Sequence, residues 1–119
     1  MMKGNRIVHS DGTLMPVRYA KVAFPNPAAT AEAIALTAGM KIRILALAAS
    51  SNGNTNINFQ SHTTTANATS LMYLGAHTDV NWDFNEAGWF ETTLGEALDI
   101  VSSGNIDGGV QIVYCLVPG

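Results

Sequence analysis

Apolar residues in this chain recur at every second position in short runs, and that two-residue rhythm restricts the fold more than any other feature. In residues 55–61, Ile57 and Phe59 alternate with Asn56, Asn58 and Gln60. In residues 79–84, Val80, Trp82 and Phe84 alternate with Asp79, Asn81 and Asp83. A strand sends successive side chains to opposite faces, so each run reads as a strand with one dry and one wet face. Turn chemistry separates the runs: Ser10-Asp11-Gly12-Thr13, Pro25-Asn26-Pro27, Ser51-Asn52-Gly53-Asn54 and residues 102–109. Short strands at this spacing predict a sandwich or barrel of roughly eight to ten strands.

Residues 5–8 and 16–24 flank the first turn and read as an arm followed by the first long strand. Prolines 25 and 27 then interrupt the chain, since each lacks a donor and biases its predecessor away from helix. Residues 28–38 carry two patterns. Their alanines and the Asn26-Pro27 start favour a helix ending at Gly39, while alternation of Glu32, Ile34 and Leu36 with alanine favours the strand adopted here. In residues 41–49, Lys41 and Arg43 begin a face that Leu45 and Leu47 carry into the interior. Asn52-Gly53 supplies the positive φ that a tight hairpin needs, and residues 55–61 form its return strand. Residues 62–69 read as a polar loop and 70–74 as a short strand apolar on both faces. Residues 88–100, GWFETTLGEALDI, read as a second hairpin bent at Gly95, and the run 110–117 closes the fold. The expectation is all-β: an antiparallel β-sandwich, jelly-roll-like, in a single domain over residues 16–119, preceded by an N-terminal arm over 1–15.

A chain of 119 residues can bury a core without staples. Only 13% of its residues are charged, about half the usual share, against 47% apolar. Low charge suits a surface covered by partners, because interface cores exclude charged groups. The six basic residues (Lys3, Arg6, Arg18, Lys21, Lys41, Arg43) all precede residue 44, where two acids leave a net +4; the remainder has seven acids and no Lys or Arg. Copies of one protein can use this asymmetry to meet head to tail. Nucleic acid is not an expected partner, for no dense basic patch with interleaved aromatics occurs. No membrane span or leader pattern is present either, so the chain reads as made and used in the cytoplasm, or released with a particle assembled there.

Candidate chemistry is sparse. Cys115 stands alone within an apolar strand and reads as a small core residue. Asp79-Val80-Asn81-Trp82-Asp83 imitates the start of a calcium loop, but Phe84 and Phe90 occupy the places that need Gly and Glu. His9, His62 and His77 are scattered and lack metal-ligand spacing. Glu91 and Glu96 flank the expected turn as a possible carboxylate pair, yet short turns leave no wall for a sugar cleft. No catalytic, metal or cofactor residue is therefore expected. Trp82 falls in phase with Val80 and Phe84 and belongs to the core. Trp89 and Phe90 must point to opposite faces of a strand, so one of them is left for an edge or a subunit contact.

The run Lys41-Ile42-Arg43-Ile44, followed by GWFETTLGEAL and a β-rich C-terminus, resembles small phage and prophage β-sandwich virion proteins. In those a "KIRV" run precedes a "GWFxTxxGxAL" segment, and Ile44 departs conservatively from that pattern. The resemblance covers roughly residues 30–117 and implies a virion structural component of the capsid cement or decoration type. It implies no enzyme activity and no cofactor. Expected partners are the chain itself, as a homotrimer, and the major capsid protein; expected interface residues are Trp89, Phe90, Lys3 and Arg6, the last two on an arm that would serve as a tether. The alternative expectation is a glycan- or receptor-binding accessory on a tail or fibre, using residues 62–69 and 102–109 with one exposed aromatic.

Overall fold

The computed structural model describes residues 2–3, 6–8, 14–64, 69–77 and 79–119, the first two stretches for their backbone alone. Sheet-forming alternation dominates, and no helix occurs among the described residues. One sheet has the order β10-β6-β12-β4, with β9 also on β6; the other has the order β5-β11-β7-β8. The strands are β4 (Arg18–Ala23), β5 (Ala29–Ile34), β6 (Met40–Ser51), β7 (Thr55–Ser61), β8 (Met72–Leu74), β9 (Asp79–Trp82), β10 (Phe90–Glu91), β11 (Leu98–Ser102) and β12 (Gly108–Pro118). All pairings are antiparallel. With β9 and β10 counted as one interrupted strand along β6, the chain changes sheet at every link from β4 to β12 except β7 to β8. That connectivity is the eight-stranded jelly roll. A small third sheet, β1 (Met2–Lys3), β2 (Arg6–Val8) and β3 (Leu14–Pro16), precedes it. The turn at residues 10–13 lies outside the described residues.

Two expected hairpins are arches instead. β6 and β7 join different sheets, so residues 52–54 carry the chain over the end of the core. Gly53 does not take a positive φ; it packs its backbone against Ile106. Residues 88–100 divide in the same way, with Phe90–Glu91 on β6 and Leu98–Ser102 between β5 and β7. The chain follows β6 further than the ladder does: Thr92 N–H donates to Ile42 O (3.0 Å) and Gly95 N–H to Met40 O (2.8 Å). It crosses after Gly95, whose φ of +74° only glycine adopts cheaply, and which is the bend expected from the sequence. The physical reason is burial. A hairpin lays two apolar faces side by side, whereas an arch lets Ile42 and Ile44 face Ile57 and Phe59 across the core.

That core joins Ile42, Ile44, Leu47, Val110 and Ile112 of one sheet to Ile57, Phe59, Leu74, Leu98 and Ile100 of the other. Each such side chain contributes roughly 1.5–3 kcal/mol when fully buried. Residues 29–34 are a strand, as the alternation indicates, with Ile34 inward. Leu45 and Leu47 do not continue one face. Register jumps from Val113↔Ala46 to Tyr114↔Ile44, leaving Leu45 as the extra residue of a bulge. A bulge reverses the phase of everything beyond it. Leu45 therefore points to the outer face with Met15, Cys115 and Val117, a second small core beneath β3, while Leu47 returns to the main one. Phe84 is another departure: β9 ends at Trp82, and Phe84 stands 46% exposed.

Candidate functional site

The chemistry-bearing residues are spread out, and Glu91 and Glu96 have separate partners. Glu91 pairs with Arg43, its Oε2 accepting from Nε at 2.6 Å. Glu96 accepts from Thr64 N–H at 3.0 Å and from its hydroxyl at 2.9 Å. The two carboxylates thus serve a strand pair and a loop. Asp79, Asn81 and Asp83 all face solvent on the wet side of β9, the arrangement an amphipathic strand produces. Among the described residues, no group of three or more His, Cys, Asp and Glu is placed to hold a metal ion. His77 is exposed at a turn, and His9 lies outside the described residues.

One contact was not legible in the sequence. Asp99, buried on β11, meets His62 Nδ1 at 2.9 Å through Oδ2, while the His62 side chain is 62% exposed. The pair fastens the start of the loop after β7 to the second sheet. The two residues are 37 apart in the chain, and no local pattern links them.

Cys115 is fully buried in the small outer core, and that burial pushes its thiol above the ordinary value of 9.0; Arg43 pulls the other way and Glu91 adds to the rise. The thiolate is the reactive form. Cys115 should therefore resist aromatic disulfide reagents at pH 8 until the chain opens, and a labelling rate matching that of a free thiol contradicts this packing. The folded chain also keeps a proton that an unfolded chain releases near 9.0, so stability should fall as pH rises through that value.

Aromatic rings cluster where β9 and β10 run along β6. Phe90 packs on the main core, 5.6 Å from Phe59 and 6.0 Å edge-on from Trp82. Trp82, in phase with Val80 as expected, is half-buried against the same core. Trp89 stacks on Trp82 at 5.5 Å, and its Nε1 donates to Asp83 O at 2.8 Å. It remains 47% exposed. Of the expected interface residues whose side chains are described, Phe90 packs mainly on the core and Trp89 is offered to solvent. Lys3 and Arg6 face each other across β1 and β2, where only the backbone is described.

The outer face of the first sheet carries a concavity. Register sets Lys21, Gln111, Ala48 and Asn81 in one row across four strands. On either side lie Ala46 with Val113 and Ser50 with Gly109. Their small side chains sink the floor and leave two adjoining hollows of about 670 and 690 Å³. The rims are unlike: Tyr19, 71% exposed, and Lys21 on β4, against Asp79 and Asp83 at β9. β3 covers the other half of this face through Met15.

No known family model and no curated protein matches the chain.

Proposed function

We propose that the protein is a virion structural component: a capsid cement or decoration protein that binds the head shell as a homo-oligomer, a trimer by its resemblance. The observation that carries this reading is Trp89, an exposed indole held rigid by a ring stack and a hydrogen bond. A pre-ordered aromatic at an edge loses little entropy on docking, the property of an interface anchor. The sparse charge and the jelly-roll frame agree with a part that is gripped by its neighbours. Such a mechanism is passive, with many weak contacts made collectively strong by the geometry of the shell. No helix among the described residues is long and apolar enough to cross a membrane.

The test is co-sedimentation with purified capsids. The native chain should pellet with shells, and Trp89→Ala should bind at least about tenfold more weakly. A chain left in the supernatant at every concentration contradicts the proposal. Exposed Trp89 and Tyr73, the latter 75% exposed on β8, also suit sugar stacking. Specific glycan-array hits that vanish on replacing either residue would favour a tail or fibre accessory instead.

A further inference from the structure

The outer face of the first sheet forms a trough along its strands, and the two walls differ in hydrogen-bonding character. Tyr19 and Lys21 stand outward on β4, out of phase with Ala20 and Val22, which pack on the core. The opposite wall is β9, three inter-strand steps or about 14 Å away. Each of the two hollows, about 670 and 690 Å³, has the size of a small-molecule site. Lys21 can only donate hydrogen bonds, and the ionised Asp79 and Asp83 can only accept them. Gln111 and Asn81, in register with Lys21, carry amides that do both. No side-chain hydrogen bond or salt bridge within the described residues uses any of these five, in contrast to Arg43 and Glu91. Two exposed rings complete one hollow: Tyr19 on the β4 wall and Phe84 on the other.

This lining selects a ligand class. A polyanion meets Asp79 and Asp83, and a polycation meets Lys21. An aliphatic ligand covers five polar groups and pairs with none of them. A hydroxyl donates and accepts, so a neutral polyhydroxyl ligand answers both walls and the amides between them. A sugar ring adds a flat C–H face, which the negative face of an aromatic ring attracts. We propose that the trough is a binding site for a neutral oligosaccharide laid along the strands. One sugar ring stacks on Tyr19, and Gln111 and Asn81 fix its hydroxyls. Further units run over Ala48 towards Ser50, where missing side-chain bulk gives them room. Trp89 lines neither hollow, so the site goes beyond shell binding through that residue and does not depend on it.

The experiment is an array of neutral, acidic and basic oligosaccharides probed with the full chain. Titration of the best-bound neutral trisaccharide follows, to about 10 mM, read by indole fluorescence because Trp82 lines the hollow. The native chain should prefer neutral saccharides. Tyr19→Ala should weaken binding at least about tenfold, and Gln111→Ala or Asn81→Ala by about three- to tenfold. Ala48→Tyr should abolish it, since residue 48 faces the trough while Leu47 and Ala49 face the core. Leu71→Ala, exposed beside the edge strand of the other sheet, should bind as the native chain does. Thermal melts check that each variant is folded; if Tyr19→Ala is not, Tyr19→Phe should keep binding and Tyr19→Ser should lose it. An array without neutral hits, a preference for charged glycans, or undiminished binding by Ala48→Tyr overturns the site. A chain that binds saccharide but ignores capsids keeps the site and overturns decoration. One that pellets with capsids and leaves every saccharide does the reverse.

Discussion

Phe59→Ala should lower the melting temperature by roughly 10–20 °C and shift the urea midpoint with little change in slope. Phe59 is fully buried on β7, opposite Ile100 of β11, with its ring against Phe90. Truncating a ring in such a place costs about 3–5 kcal/mol, because the transfer term and the residual cavity add. The loss should also travel outward. Phe90 touches Trp82, and Trp82 touches Trp89, so the indole fluorescence of the native state should change with the cavity. Tyr73→Ala is the matched control, an aromatic removed from the surface of the neighbouring strand. It should move stability by less than about 0.5 kcal/mol. Equal losses from the two variants would mean that the β7 face is not where the core lies.

Gly108→Val tests the mouth of the closing arch. Gly108 starts β12 opposite Ser51, and its carbonyl accepts from Phe24 N–H at 2.9 Å. A Cβ there runs into the carbonyl oxygen of Ser50 and lies 2.8 Å from two carbons of the Phe24 ring. Neither obstacle is the end of a flexible chain: one is backbone, and the other is a buried ring of the main core. The substitution should cost about 3 kcal/mol, the upper end for overpacking, and lower the melting temperature by roughly 10 °C. Gly109→Ala, one residue on, should stay within about 1 kcal/mol of the native chain, since its Cβ makes only a 3.4 Å contact with Val22 O. Similar costs at both positions would contradict the close approach of β12, β6 and Phe24.

Alternation made the strands legible. Ile57 and Phe59 point inward and Gln60 outward, as their spacing implies, because a two-residue period has only two ways to face a core. Which strands pair was not legible. Asn52-Gly53 is equally good chemistry for a hairpin and for an arch, and the choice depends on whether the flanking apolar faces must lie beside or opposite each other. The bulge at Leu45 escaped for a related reason. Every residue from Ile42 to Leu47 except Arg43 is apolar, so nothing in their order marks the point where phase reverses. Trp89 and Phe90 were visible as a pair of which one had to leave the core, yet the Trp82 stack and Asp83 bond that fix Trp89 depend on the seven-residue excursion between β9 and β10. The trough was hidden because its floor is made by what Ala46, Ala48 and Gly109 lack, on strands distant in sequence.

The claim that the protein reinforces a shell is tested most directly by heating capsids that lack it, with and without the purified chain added back. Binding should saturate at a fixed ratio to the major capsid protein and raise the temperature at which shells open. Trp89→Ala should lose both effects while keeping a folded jelly roll. Shells that open at the same temperature with the protein present in excess would contradict it.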